Sequence, residues 1–169
     1  MIGAGVLLVP SDPAWPARFA REAERLRAAA GEIPVTIEHI GSTAVPKLLA
    51  KPTIDILVGA GALEPADELV PRFEKLGYVY VKAYEEKLPM RRFLRTGSRT
   101  HNLHVVEKGG AFWQEHVAFR DWLRTHPDDV RRYAFLKQQL VQRFGSDRDR
   151  YTEAKAPFIA EILREAMRR

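Results

Sequence analysis

The chain has 169 residues, 46% of them hydrophobic, which is enough to fill the core of one domain. Its 27 Lys and Arg residues outnumber its 22 Asp and Glu residues, so the net charge of +5 favours anionic partners but falls short of a nucleic-acid-binding arm. The lack of cysteine excludes disulfides, thiolate zinc sites and cysteine nucleophiles. No stretch approaches the roughly 18 apolar residues that cross a bilayer, and the start does not resemble a signal peptide. We therefore predict a cytoplasmic protein with no membrane partner.

The first predicted elements are a strand and a long helix. Apolar residues at positions 5–9 predict a short strand, and Ser11 or Asp12 then offers a cap for the following helix. Apolar residues continue at helical spacing towards Gly31, where the helix is predicted to end.

Two strands with a break between them come next. Alternation of apolar and polar residues predicts strands at 35–40 and 53–58. Gly41 ends the first strand, and Pro46 limits any helix within residues 43–50 to one or two turns.

The rest of the chain adds further strands and then only helices. A helix is predicted at 66–75, with Gly77 as its stop. Further strands are predicted at residues 78–81, 90–94 and 102–106, and C-terminal helices at 111–125, 128–144 and 150–168. The predicted fold class is α/β (α+β), a mixed β-sheet flanked by helices with a C-terminal helical segment. We expect a single domain over residues 1–169, with the sheet in 1–108 and the helices of 109–169 packed on it.

The segment IEHIGSTAVPKLLAKPTIDILV places a Gly-Ser turn between the strands at 35–40 and 53–58. It is not a P-loop, because Pro46 and Leu48 stand where that motif requires Gly and Ser or Thr. Unpaired backbone N–H groups after Gly41, with the Ser42 hydroxyl, would favour an anion at the start of a helix. The alternative is a tight turn at Gly41 in which Ser42 or Thr43 only caps the helix.

Asp55 is the only charged residue in its aliphatic strand. Strand periodicity puts Asp55 on the face opposite to Ile54, Ile56 and Val58, so its carboxylate points away from the main core. A buried carboxylate needs a partner. A salt bridge to Lys51 or to an arginine is one interpretation, and a ligand-binding or catalytic role is the other.

Histidines flank this strand on both sides. In the strand at 102–106 the aliphatic residues face the core, which turns Asn102 and His104 towards Asp55. His101 is three residues before His104 and faces the opposite way, so the two are not a ready-made metal pair. A hydrogen-bonded structural role is the simpler interpretation of each histidine taken alone.

The strand at 35–40 adds two more candidates. Glu38 shares the side of the proposed site, whereas His39 points inward unless the turn has already begun.

Basic residues gather around the turn and the hairpin. Arginine and lysine bind phosphate or carboxylate, although a solvated hairpin surface is an equally open interpretation. Arg91 and Arg92 point to opposite faces of one strand, so only one of them can line a site. The basic candidates are Lys47, Lys51, Arg91, Arg92, Arg95 and Arg99, and the tail residues available to reach the cleft are Arg120, Arg124, Tyr133, Lys137 and Lys155.

The segment from Ile37 to Val58, together with RRFLR, THNLHVVE and FRDWLRTHPD, resembles the GrpB family over nearly the whole chain. The resemblance implies a nucleotidyltransferase fold and a relationship to a domain attached to some dephospho-CoA kinases. It brings no settled reaction. Relatives commonly have Pro-Gly where this chain has Pro46 and Lys47.

The nucleotidyltransferase resemblance also implies a set of site residues. Such enzymes carry two acidic residues on the strand after the turn and a third on a neighbouring strand, whereas Leu57 and His104 stand at the second and third positions here. Imidazole suits zinc or manganese better than magnesium. The divalent metal that the resemblance allows is Mg, Mn or Zn, with Asp55, His104 and Glu38 as ligands. Asp55 and His104 are the catalytic candidates. The candidates for substrate binding are Gly41, Ser42, Thr43, Lys51, Arg91 and Arg92. Three further residues are expected to support these side chains from behind: His39, His101 and Asn102.

Two functions follow as expectations. The first is a protein that binds a nucleotide or another phosphorylated small molecule, with metal-dependent nucleotidyl or phosphoryl transfer as its catalytic form. The alternative is a noncatalytic accessory or ligand-sensing module. Nucleic-acid binding is disfavoured because it rests only on net charge and the hairpin arginines, and the sequence indicates no partner protein.

Overall fold

The computed structural model describes residues 5–168. None of the helices in this part of the chain is both long enough and apolar enough to cross a membrane. The elements, in chain order, are α1 (Trp15–Ala30), β1 (Thr36–Ile40), β2 (Ile54–Ala60), α2 (Leu63–Glu74), β3 (Tyr78–Tyr80), β4 (Arg91–Thr96), β5 (His101–Glu107), α3 (Ala111–Thr125), α4 (Pro127–Phe144), α5 (Arg148–Glu153) and α6 (Ala156–Ala166).

The five strands form one mixed sheet in the order β1-β2-β5-β4-β3. Strands β2 and β5 run parallel, and the other neighbouring pairs are antiparallel. The register places Asp55 opposite Asn102 on β5 and opposite Ile40 on β1. The predicted α/β fold class, a mixed sheet flanked by helices with a C-terminal helical segment, is confirmed.

One face of the sheet carries the main core. Helices α1 and α2 pack there through residues such as Leu26, Leu69 and Phe73, each fully buried. Ile56 and Leu103 reach this core from β2 and β5. The predicted inward direction of the aliphatic residues on both strands is therefore confirmed.

The second face of the sheet is covered by the C-terminal helices. Leu57 and Val106 pack under Trp113 of α3, and a separate apolar cluster joins α3, α4 and α6 to Val45 and Leu48 in the β1–β2 connection. Asp55 lies on this second face, so any space left between sheet and helices opens beside its carboxylate.

Three predicted elements differ from the structure. The segment at 5–9 is not a strand and makes only an isolated bridge between Val9 and Ala50, because its first part runs along the C-terminal helices, where the Val6 N–H donates to the Gly145 carbonyl. The predicted helix at 150–168 is divided into α5 and α6, and Pro157 is the second residue of α6, in the first turn, where the lost N–H is harmless.

The third difference lies in the β1–β2 connection. The short helix predicted within 43–50 is a single 3-10 turn, Ser42–Ala44. Pro46 prevents its extension because the residue before a proline is disfavoured in helical conformation, and Val45 is extended.

Gly59 is fixed by packing. A Cβ at this position would lie 2.5 Å from Trp113 Cζ3 and 2.9 Å from Lys108 Cβ. Gly59→Ala is therefore expected to lower the free energy of unfolding by about 1–3 kcal/mol through overpacking, measured by urea denaturation. Gly61→Ala is the matched control, because a Cβ there meets nothing within 4 Å. Equal effects of the two substitutions would contradict this packing argument.

Candidate functional site

A cavity of about 350 Å³ lies between the second face of the sheet and the C-terminal helices. The Gly-Ser turn and strands β2 and β5 form one wall, and helices α3 to α6 form the other. The predicted site residues that line it are Gly41, Ser42, Thr43, Lys51, Asp55, Asn102 and His104. The structure thus brings together residues that lie up to 63 positions apart between Gly41 and His104.

Asp55 is held by two polar neighbours on β5. Asn102 Nδ2 donates to Asp55 Oδ1 at 3.0 Å, and His104 Nε2 lies 3.5 Å from the same oxygen. Burial by itself would raise the pKa of Asp55, but the hydrogen bonds from His104 and Asn102 and the charge of Lys51 outweigh it and lower this pKa. Asp55 is therefore a carboxylate at neutral pH, and 29% of its side chain is exposed.

Gly41 makes close contact with this carboxylate. Its backbone has φ 73° and ψ −173°, a conformation that residues other than glycine rarely adopt. A Cβ at this position would lie 2.8 Å from Asp55 Oδ2. Gly41 therefore makes the tight turn that was one of the two interpretations, and it lies directly against the Asp55 carboxylate.

The turn residues after Gly41 do not cap a helix. The Ser42 hydroxyl accepts a hydrogen bond of 2.9 Å from Lys137 Nζ, and the Thr43 hydroxyl lies 2.9 Å from His39 Nε2. His39 is buried on the core side and stacks on Phe19, as its predicted inward direction requires. Because the helix is reduced to one turn, its dipole contributes little, and any positive potential here must come from side chains.

Lys51, Lys137 and Lys155 supply that potential. Lys137 is only 2% exposed, and its ammonium donates to Ser42 Oγ and to the Leu49 carbonyl. Burial and the charges of the other two lysines lower the pKa of Lys137 to about 7. Burial, with the charge of Lys51, lowers the pKa of Lys155 to about 8.

Within the described residues none of these lysines forms a direct ion pair with a carboxylate, although Asp55 and Glu115 line the same cavity. All ion pairs found within residues 5–168 have arginine or histidine as the cation. Lys137 and Lys155 lie instead over the rings of Tyr133 and Tyr151, each with Nζ 4.8 Å from the ring centroid. A buried ammonium group without a direct ion pair, such as that of Lys137, is costly for the fold.

The two adjacent arginines of β4 have different surroundings. Arg91 lies on the second face, with Nη1 3.3 Å from His104 Nδ1. Arg92 lies on the other face and pairs with Asp67 and Glu85, at 2.5 and 3.5 Å. The structure therefore places Arg91, and not Arg92, beside the site, because successive side chains of a strand point to opposite faces.

Several other predicted residues lie apart from the cavity. Glu38 is on the predicted side of the sheet, but its carboxylate accepts a 2.5 Å hydrogen bond from Arg120. His101 points away from Asp55, with Nδ1 3.0 Å from the Thr100 hydroxyl. Lys47 lines a separate groove between the N-terminal segment and α4.

The side chains do not fit the metal site that the fold resemblance implies. Glu38 is engaged by Arg120, and Leu57, at the second acidic position, is fully buried in an apolar cluster. Within the described residues, no group of three or more His, Asp or Glu side chains is placed to hold a metal ion. A hard metal ion would need more oxygen ligands than Asp55 offers at this position.

Sequence reasoning missed His116 and Glu115 on the α3 wall of the cavity, Tyr151 and Thr152 on the α5 wall, and Thr53 beside the turn. Tyr133, Lys137 and Lys155 were predicted only as available residues, and all three line the cavity. One signal for Lys137 was present: it is four residues from Tyr133 and three from Leu140, and these share the buried side of α4. A lysine on an apolar helical stripe indicates a functional or paired cation.

Comparison with known proteins identifies the family. The model of the family described as GrpB protein matches residues 5–165. A UPF0157 protein of Pseudomonas aeruginosa is 43% identical over 166 residues, which cover 95% of this chain and 67% of that protein. The crystal structure of the conserved protein GrpB from Enterococcus faecalis superimposes with a TM-score of 0.85 at 39% identity, over 95% of this chain and 96% of that chain.

A longer relative has a different name. The dephospho-CoA kinase of Mycolicibacterium paratuberculosis is 32% identical over 189 aligned positions, which cover 96% of this chain but only 46% of the kinase. The match of the family model to residues 5–165 and the similarity to the Enterococcus structure show that this chain belongs to the GrpB family.

Proposed function

We propose that the cavity binds a phosphorylated small molecule, with a nucleotide as the leading candidate. The observation that carries the proposal is the convergence of Lys51, Lys137 and Lys155 on one cavity, where none of them forms a direct ion pair in the described chain and the lining carboxylates are Asp55 and Glu115. A phosphate provides the missing negative charge and accepts charge-assisted hydrogen bonds from ammonium groups. The cost of burying the lysines is thereby offset when ligand is present.

The rest of the cavity suits an organic body attached to the phosphate. Phe119, Tyr133 and Tyr151 contribute rings, and Ile159 and Leu163 contribute aliphatic surface from α6. A volume of about 350 Å³ is in the range of small-molecule sites, which are mostly apolar with a few placed polar groups. This composition supports a nucleotide-sized ligand over a free inorganic anion.

A binding role without turnover is a second candidate, and one observation favours it. Leu57 occupies the position of a second catalytic carboxylate and is packed among Ile40, Val106 and Trp113. The similarity to part of a dephospho-CoA kinase supports an accessory role beside an enzyme of phosphorylated metabolites. In the catalytic form of the proposal, Asp55 acts as the general base, since it remains ionised and exposed to the cavity.

The experiment that tests ligand binding is isothermal titration calorimetry with matched pairs. Each nucleotide of a panel, such as AMP, ADP and ATP, is compared with its nucleoside. We expect at least one phosphorylated member to bind, and we expect its nucleoside to bind far more weakly. Equal affinity of nucleotide and nucleoside, or no binding throughout the panel, would contradict the proposal.

Turnover distinguishes the two candidates. Nucleotides found to bind by calorimetry are incubated with the protein and a divalent metal ion, and any products are detected by chromatography. A product whose formation is lost in Asp55→Asn supports the transferase form. Ligand recovered unchanged supports the accessory form.

Ligand affinity should decrease as the pH rises from 7 to 9. In the free protein the pKa values of Lys137 and Lys155 are about 7 and about 8, and a bound phosphate favours the protonated amines and raises both. Binding therefore takes up protons in this range, and each lysine that must be protonated weakens binding up to about tenfold per pH unit above its free pKa. Calorimetry in two buffers of different ionisation heat measures the uptake. A pH-independent affinity with no proton uptake would show that these lysines do not contact the ligand.

A further inference from the structure

His104 has a hydrogen-bonding neighbour on each ring nitrogen. Arg91 Nη1 is 3.3 Å from Nδ1, and Asp55 Oδ1 is 3.5 Å from Nε2. A guanidinium only donates and a carboxylate only accepts. Both neighbours therefore require the same neutral tautomer, in which Nδ1 accepts from Arg91 and Nε2–H donates to Asp55.

Arg91 is held in place independently of His104. Its guanidinium carbon lies 5.0 Å from the centroid of Phe93 and 5.6 Å from that of Phe112, and Nε is buried without a hydrogen-bond partner in the described chain. The aromatic rings thus fix the guanidinium, and the guanidinium fixes the proton of His104.

His116 has the opposite arrangement. Its Nδ1 is 2.8 Å from the Phe112 carbonyl oxygen, which only accepts, so the proton is on Nδ1. Burial lowers the pKa of His116 to about 4, so the ring is neutral and Nε2 carries a lone pair. His116 lines the cavity, and its ring centroid is 6.3 Å from that of His104.

This wall of the cavity consequently offers acceptors to a ligand. The proton of His104 is committed to Asp55, so the carboxylate and His116 Nε2 are left to accept hydrogen bonds. We propose that Arg91 is a positioning residue that fixes His104 as the Nε2–H tautomer. The second part of the proposal rests on the proposed function: the phosphorylated ligand presents a hydroxyl or amino group to Asp55 and His116.

The tautomers can be measured without any ligand. Long-range ¹H–¹⁵N NMR spectra of the ¹⁵N-labelled protein distinguish the two neutral forms of each ring. We expect Nε2–H for His104 and Nδ1–H for His116. His126, whose Nδ1 is 2.8 Å from the Trp122 carbonyl oxygen, provides an Nδ1–H reference in the same sample. An Nδ1–H form of His104, or an Nε2–H form of His116, would overturn the inference.

Two variants isolate the part played by Arg91. Arg91→Lys retains a group that only donates and is expected to keep the Nε2–H form, whereas Arg91→Met removes the donor and is expected to give a mixture of tautomers at His104. If His104 kept a single Nε2–H tautomer in Arg91→Met, Arg91 would not be the residue that fixes it. If Arg91→Met does not fold, the wild-type spectrum still decides the tautomer of His104, and a change of that tautomer in Arg91→Lys would contradict the role given to Arg91.

Two phosphate compounds that differ only in their hydroxyl groups test the proposed contact between the ligand and Asp55 or His116. Glycerol 3-phosphate carries two hydroxyl groups that propyl phosphate lacks, and we expect it to bind about tenfold more tightly or better, since each hydrogen bond to a charged acceptor is substantial. Equal binding of the two would overturn the inference but leave phosphate binding intact. If neither compound binds, the same comparison is made between AMP and its 2′,3′-dideoxy form, where equal affinity overturns the inference; failure of the whole nucleotide panel contradicts the proposed function instead, while the tautomers stand on the NMR result.

Discussion

Lys155→Met is expected to weaken nucleotide binding by about 10- to 150-fold and to raise the melting temperature of the unliganded protein. The loss of affinity reflects a charge-assisted hydrogen bond of about 1.5–3 kcal/mol. The gain in stability follows from linkage. Because the folded-state pKa of Lys155 is lowered from 10.5 to about 8, the folded chain binds this proton less tightly than the unfolded chain, which costs stability below about pH 8.

Lys75→Met is the matched control for this substitution. Lys75 is exposed at the end of α2 and does not line the cavity, so its replacement should change neither the affinity nor the melting temperature beyond a small surface effect. Calorimetry and thermal unfolding monitored by circular dichroism measure both quantities. A Lys155→Met protein that binds as wild type, or one that is destabilised, would show that Lys155 is structural.

Gly41→Ala is expected to damage both stability and binding. A non-glycine residue in this backbone conformation costs about 1–3 kcal/mol, and the added Cβ would be 2.8 Å from Asp55 Oδ2. Either the turn or the carboxylate must move, and Ser42, which follows directly, carries the hydroxyl bound by Lys137. We expect a decrease of at least about 1 kcal/mol in the free energy of unfolding and a nucleotide affinity reduced by more than about tenfold.

Gly97→Ala separates this local effect from glycine replacement in general. Gly97 is in the β4–β5 turn, and a Cβ there meets nothing within 4 Å. Urea denaturation and calorimetry should give nearly wild-type values for this variant. If Gly41→Ala bound ligand as well as Gly97→Ala, the turn would not be part of the binding site.

The common direction of Asp55, Asn102 and His104 was predictable because it depends on strand periodicity. Each strand alternates its faces, so placing the aliphatic residues in the core fixes the direction of the polar ones. Parallel pairing of β2 with β5 then brings the polar groups to hydrogen-bonding distance. The same reasoning established that only one of Arg91 and Arg92 faces the site, but choosing between them required the sheet.

The positions of the lysines in the cavity and the pairing of Glu38 with Arg120 could not be derived in this way. Lys137 contacts Ser42 across 95 residues of sequence, and Arg120 contacts Glu38 across 82, through helices whose packing angle no local pattern specifies. Periodicity predicts that α3 and α4 have apolar sides. It does not say which part of the sheet those sides will cover.

The 5–9 segment was predicted wrongly for a related reason. Its apolar residues resemble a strand, but Val6 packs with Leu140 of α4 and Tyr151 of α5, whereas Leu7 is 64% exposed. An apolar run of this length indicates burial without indicating the element that buries it.

The lysine-lined cavity is proposed to bind the phosphate group of its ligand. The most direct test is a titration of the ¹⁵N-labelled protein with inorganic phosphate and with AMP, followed by ¹H–¹⁵N correlation spectra at pH 6.5 or below, where both lysines are largely protonated. We expect saturable shifts at the amides of Gly41, Ser42 and Thr43 and in the residues beside Lys137 and Lys155. Shifts confined to the exposed arginines of the C-terminal helices, or no saturable shifts at all, would contradict it.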